Sequence, residues 1–311
     1  MSDLAQSIAT ADYDTAPFFA VLDGAQFDDL PAALREGKFV ARSLYLDRGE
    51  NNPDQVVTAP HLVWLDETPV NPGLRPPALT VPPLMELVGD RPAAVFWRCP
   101  AGGEVLFRHL RGINMIAVPA AKGDGVDPVL FRHADANALC QVAAVLDAGQ
   151  VARLLGPAAS LVCVPDEVWR DGTDMLTLER PDPPVAAPTG LLTLTGPQMA
   201  RMEEVRVAGA MRRTKGFLRR HLPEEMADVP DADLDMIVAR SRKSGRALGI
   251  RSTGGHHRWA YLMALTQGRA ADDAEMRAFL ADPHGTPDEQ VKLAMRGVVA
   301  AARKAADEAR T

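Results

Sequence analysis

The residues with the most chemical potential are a histidine pair, a His/Asp set and a series of arginines. His256 and His257 are adjacent. Neighbouring side chains on a helix point roughly 100° apart, so the two cannot easily share one metal ion, which needs ligands three or four residues apart. No Asp or Glu lies close enough in sequence to complete such a site. His109, His133 and Asp135 contain the groups of an acid–base set, yet nothing places a Ser or Cys nucleophile among them. Gly-x-Ser-x-Gly, His-Glu-x-x-His and Gly-x-x-x-x-Gly-Lys-[Ser/Thr] do not occur. Gly123-Asp124-Gly125 is a lone turn signal. Cys99, Cys140 and Cys163 are odd in number and far apart, without metal-ligand or redox spacing. They read as small buried hydrophobes in a reducing compartment. No catalytic residue, metal or cofactor is therefore expected. A small hydrolase using His109, His133 and Asp135 is the enzymatic alternative.

The arginines carry more information. In Phe131-Arg132-His133-Ala134-Asp135, Asp135 is placed to cap the following helix and Arg132 to brace the strand-to-helix corner. His109-Leu110-Arg111 puts another Arg beside apolar positions. Residues 201–220 hold Arg201, Arg206, Arg212, Arg213, Lys215, Arg219 and Arg220 against Glu203 and Glu204, and a second basic run follows at Arg240, Arg242, Lys243 and Arg246. A solvated face, a protein-docking face and a nucleic-acid-binding regulator face (201–246) are the three readings. Nucleic acid is the least favoured, because Phe217 is the sole aromatic among residues 201–220 and stacking on bases needs more.

These side chains must be positioned by a chain of 311 residues, a length that suggests two domains at ~150 residues each. Apolar residues make up 47% and charged residues 24%, ordinary globular proportions that exclude wholesale disorder. The net charge of −7 argues against a surface built as a whole for nucleic acid or anionic lipid. It is unevenly spread: residues 1–187 carry 14 Lys/Arg and 25 Asp/Glu, and residues 188–311 carry 20 and 16. Met1 to Pro17 has three aspartates and no basic residue, unlike a secretory signal, and no apolar run approaches the ~18 residues of a membrane helix. A soluble, cytoplasmic protein is expected.

Residues 1–180 predict an α/β domain, a mixed sheet with flanking helices. Strands are expected at Phe18–Leu22, Leu44–Leu46, His61–Leu65, Ala93–Trp97, Ile113–Val118, Val129–Arg132, Ser160–Val164 and Met175–Leu178. Six prolines between 67 and 83 predict extended loop, with a short helix at Leu84–Val88. Other helices are expected with Phe27, Leu30 and Leu34 at spacings of three and four, at Gly103–Leu110, and as one amphipathic helix over 135–155. The Pro-rich segment 181–190 reads as a linker. Residues 191–311 predict an all-α domain of about five helices. Its punctuation includes capping boxes at Thr195/Gln198 and Thr286/Glu289, a cap at Thr253, and stops at Gly249 and Gly268.

The N-terminal pattern resembles the effector-chaperone/adaptor family of bacterial type VI secretion, the Tap or TEC proteins that load effectors onto the VgrG spike. The matching pieces run in order: Ala20-Val21-Leu22-Asp23-Gly24, Ser43-Leu44-Tyr45, Ala59-Pro60-His61-Leu62-Val63, His109-Leu110-Arg111, Phe131-Arg132-His133-Ala134-Asp135 and Leu155-Gly156-Pro157. They cover roughly residues 18–164. The helical half, with Arg246-Ala247-Leu248-Gly249-Ile250 before a Trp-bearing helix, is similar to the tail of many such proteins. The resemblance implies a non-catalytic cytoplasmic adaptor that holds a toxic effector and VgrG before firing. Partner contacts are expected at His109, Arg111, Arg132 and Asp135, and on the basic helix at Arg212, Arg213, Arg219 and Arg220.

Overall fold

The computed structural model describes residues 2–45, 53–66, 76–170 and 174–308. The chain divides into two compact units, Met1–Val205 and Arg206–Thr311. In order, the first unit contains α1 (Ser2–Ala9), β1 (Phe18–Leu22), α2 (Leu30–Glu36), β2 (Val40–Ser43), α3 (Pro53–Thr58), β3 (His61–Trp64), α4 (Pro77–Val88), β4 (Ala94–Arg98), α5 (Gly103–Gly112), β5 (Met115–Pro119), β6 (Val126–Leu130), α6 (Ala136–Ala143), α7 (Ala148–Leu155), β7 (Ser160–Cys163), β8 (Leu176–Glu179) and β9 (Leu192–Thr193). Helix α8 (Gly196–His221) begins in the first unit and ends in the second. It is followed there by α9 (Pro223–Met226), α10 (Asp231–Ala247), α11 (Thr253–Leu265), α12 (Ala274–Leu280) and α13 (Pro287–Glu308). This is an α/β unit followed by an all-α unit, as the hydrophobic periodicities predict.

The main sheet has the order β2-β3-β1-β4-β7-β8, with antiparallel neighbours throughout. Of its central strands, β1 is apolar at every position and β4 at all but its last, Arg98, because both faces are covered. Phe19, Val21, Val95 and Trp97 belong to one core cluster, and Ala20, Leu22, Ala94 and Phe96 to the other. A smaller sheet, β6-β5-β9, combines an antiparallel and a parallel pair.

Several boundaries differ from the sequence reading. The strand expected at Leu44–Leu46 lies earlier, at β2, and ends as Leu44 N–H donates to Pro60 O at 2.8 Å; Leu46 lies outside the described residues. Of the proline-rich stretch, residues 67–75 also lie outside them, but Pro77–Pro83 is helix rather than loop. Pro77 sits at the first turn, where its missing N–H costs nothing. Pro82 and Pro83 are interior and unfavourable by about 3 kcal/mol each. Burial of Val81, Leu84 and Val88, at about 1.5–3 kcal/mol each, offsets that cost. The single helix expected over 135–155 is two. Asp147 starts α7 with a capping box, accepting from Gln150 N at 2.8 Å while the Gln150 side chain accepts from Asp147 N at 2.9 Å. The cap of α11 is Ser252, one residue before the expected Thr253.

The sequence places its domain boundary at 181–190. The compact units divide later, at Val205/Arg206. After the prolines the chain returns to the first unit. There β9 pairs with β5, Leu194 N–H donates to Ala117 O at 2.9 Å, and Gln150 Nε2 donates to Thr193 O at 2.6 Å. In the second unit, apolar clusters form around Ile250, Trp259 and Leu280, and around Leu218, Leu234 and Val238.

Candidate functional site

Two expected site residues, Arg132 and Asp135, and several that sequence reasoning missed, converge at the end of the central strands of the first unit. Strand β1 is followed directly by Asp23, whose N–H donates to Ala93 O at 2.9 Å, and whose carboxylate caps the turn at Gly24–Gln26 by accepting from Ala25 N. The turn is tight: a Cβ on Gly24 would overlap the carbonyls of Ala59 and Val57. Asp23 is only 3% exposed, so its charge needs partners. Gln26 Nε2 donates to it at 3.2 Å, and Arg132 forms a short ion pair with Oδ2. Arg132 reaches Asp135 as well, at 3.4 Å.

Asp135 performs the capping role its position predicts. It accepts from Asn137 N at 2.9 Å and Ala138 N at 3.3 Å at the start of α6. Burial holds its carboxyl above the usual range, opposed by the Arg132 charge and these amides. Thus Arg132 ties the end of β1 to the start of α6, two points 112 residues apart in sequence. Tyr45 lies within the influence of the same charges: burial and the Asp23 carboxylate raise its phenol, and Arg132 opposes them.

The histidines occupy other niches. His133 is 1% exposed; its Nε2–H donates to Asn114 Oδ1 at 2.9 Å, and its ring packs edge-on against Trp97 and Phe131. Burial drives its pKa down to about 3, so the imidazole is neutral at physiological pH. His109 Nε2–H donates to Leu154 O at 2.8 Å, and burial lowers its pKa too. Gly156, at positive φ, leaves room for that ring, since a Cβ there would run into it. The structure therefore does not couple His133 to Asp135 as an acid–base pair. The imidazole bonds to Asn114, and the carboxylate is engaged by Arg132 and two amides.

Arg111 belongs to a separate feature. It lies over Phe107 on α5, 5.6 Å from the ring centroid, and lines a cleft of about 470 Å³ with Arg108, Tyr45, Asn114, Met115 and Leu130. Asn114 connects the two regions, bonding His133 on one side and Leu44 O at 3.3 Å on the other.

The basic residues of α8 from Arg206 onward lie in the second unit, and Arg201 in the first. Lys215 contacts Asp235 at 2.8 Å and Asp231 at 3.2 Å, and Arg219 contacts Asp231 at 2.5 Å. Part of the charge run thus anchors α8 to α10. Arg220 is exposed, while Arg212 and Arg213 have interaction partners of their own. His257 stacks on Phe217 at 4.9 Å, and burial followed by Arg213 lowers its pKa. Among the described residues, no three His, Cys, Asp or Glu side chains are grouped to hold a metal ion. No helix among them is long and apolar enough to cross a membrane.

Asp23, Gln26, Asn114 and Tyr45 were not identified as site residues from sequence. Asp23-Gly24 signals a turn after a strand, but its link to Arg132 is a tertiary fact. No curated protein and no solved structure matches the chain. Residues 18–153, which contain the Asp23/Arg132/Asp135 corner, both histidines and Arg111, match a family model described as Domain of unknown function (DUF4123).

Proposed function

We propose that this chain is a non-catalytic cytoplasmic adaptor that binds a type VI secretion effector and presents it to the VgrG spike before secretion. The observation that carries this reading is the family match over residues 18–153, since that domain is known in type VI secretion effector adaptors. The local chemistry supports it. The residues that would make the most plausible acid–base set are committed to structure: His133 to Asn114, His109 to Leu154 O, and Asp135 to a cap and an ion pair. The functional surface then lies in what the braced corner displays, and rim charges and apolar anchors do the recognition.

The test is co-purification of the tagged full-length chain with a candidate effector and with VgrG, alongside an assay for turnover of ester and peptide substrates. Recovery of both partners without turnover is expected. Recovery of neither, or turnover abolished by His133→Asn, would overturn the reading.

A further inference from the structure

Strand β6 is exposed at all five residues, Val126-Asp127-Pro128-Val129-Leu130, although three of them are large and aliphatic. Val126 is 57% and Leu130 56% exposed. The strand forms one edge of its sheet, a position open to pairing with another chain. The ladder phase shows how far it is open. Phe131 N–H donates to Asn114 O at 2.8 Å, and Met115 pairs with Leu130, so backbone groups alternate toward β5 from residues 131, 129 and 127. Residues 126, 128 and 130 direct theirs to the open edge. The central one is Pro128, which has no N–H to give. A partner strand cannot add continuously along β6.

The side chains offer a different mode of contact. Leu130 and Met115, directly opposed across the ladder, border the cleft with Tyr45, and Arg108 and Arg111 lie at the same cleft. Among the described residues neither arginine meets a carboxylate. Arg108 bonds only the backbone of Glu104, at 3.4 Å, and Arg111 faces Phe107. These two guanidiniums stand on a unit that carries 15 Lys/Arg and 27 Asp/Glu, a net of −12. Local positive charge beside exposed aliphatic side chains selects for acidic groups beside apolar ones.

We propose that this cleft docks a segment of a partner polypeptide carrying acidic and apolar side chains, held by side-chain contacts rather than by extension of the β-sheet. The proposal rests on the adaptor reading for the nature of the partner, but not for the chemistry of the site.

The probe is a labelled dodecapeptide of glutamate and leucine, titrated into the full-length protein by fluorescence anisotropy. Controls replace glutamate by lysine, or leucine by serine. Binding of the Glu/Leu peptide is expected, weakened at least tenfold by each control change, by Arg108→Glu and by Leu130→Asp, and retained by Arg108→Lys. The substituted side chains are exposed, and circular dichroism verifies folding. Equal binding of the lysine peptide, indifference to both substitutions, or absence of binding would overturn the proposal. So would self-association of the protein that Leu130→Asp abolishes, which would assign the face to a second copy. Co-purification with effector and VgrG separates the two claims. If both partners are still recovered by Arg108→Glu and Leu130→Asp, the cleft proposal fails and the adaptor reading stands. If the peptide binds as expected and neither partner is recovered by the unsubstituted chain, the reverse holds.

Discussion

Arg132 bridges two carboxylates of unequal burial, and the inequality determines what its loss would do. Asp23 has a side chain 4% exposed, and among the described residues Arg132 is the one cation bonded to it. Arg132→Ala leaves that buried charge with only Gln26 and a backbone amide, a penalty of about 1–3 kcal/mol. Chemical denaturation should show a lower midpoint at unchanged slope, and Asp23→Asn should recover part of the loss in the double variant. His133 gives a second residue-scale prediction. Its folded pKa is depressed to about 3 from 6.5, so the folded state binds fewer protons between those values. Its contribution to stability is fully present above pH 6.5 and declines as pH falls toward 3, with a slope approaching about 1.4 kcal/mol per pH unit. His133→Asn should flatten the acid limb of stability between pH 6.5 and 3. Intrinsic tryptophan fluorescence is a suitable reporter, because Trp97 packs against the imidazole. An unchanged acid limb would mean that His133 does not govern it.

At the scale of elements, the sequence was most legible where punctuation and periodicity agreed. The apolar runs at Phe18–Leu22 and His61–Trp64 are strands, and the Thr195/Gln198 and Thr286/Glu289 boxes start helices as read. It was least legible where tertiary burial overrode local preference, as in α4 with two interior prolines, or where one capping residue broke an uninterrupted helical pattern. Asp147 is the clearest case: the apolar stripe over 135–155 continues across the break, and only the Asp-x-x-Gln spacing marks it. Asp147→Ala should therefore destabilise the first unit by about 1 kcal/mol, read from the denaturation midpoint. The corner was half legible. Arg132 and Asp135 are three residues apart and their partnership followed from spacing, whereas Asp23 is 109 residues from Arg132 and only folding joins them. Edge protection by Pro128 is testable on the same scale. Pro128→Val restores the missing outward N–H and raises β-propensity, so light scattering should detect concentration-dependent association absent from the parent chain.

For the whole molecule, the two compact units differ in charge as well as in architecture. Residues 206–311 carry 19 Lys/Arg and 14 Asp/Glu, a net of +5 against −12 for residues 1–205. A formal excess does not by itself make a docking face, because Lys215 and Arg219 are engaged with Asp231 and Asp235. What distinguishes docking from anchoring is the ionic-strength dependence of partner binding. Exposed charges are screened over about 8–10 Å at 0.1–0.15 M salt, so an interface steered by the α8 arginines weakens as salt rises. Replacing Arg212, Arg213, Arg219 and Arg220 together by Gln removes four positive charges while keeping side chains of hydrogen-bonding character. If α8 is a docking face, recovery of one partner should fall in the quadruple variant at 50 mM salt, and its remaining binding should lose most of its dependence on salt up to 500 mM. Equal recovery of both partners, with the parental salt dependence intact, would restrict these arginines to holding the helical unit together and leave recognition to the α/β unit.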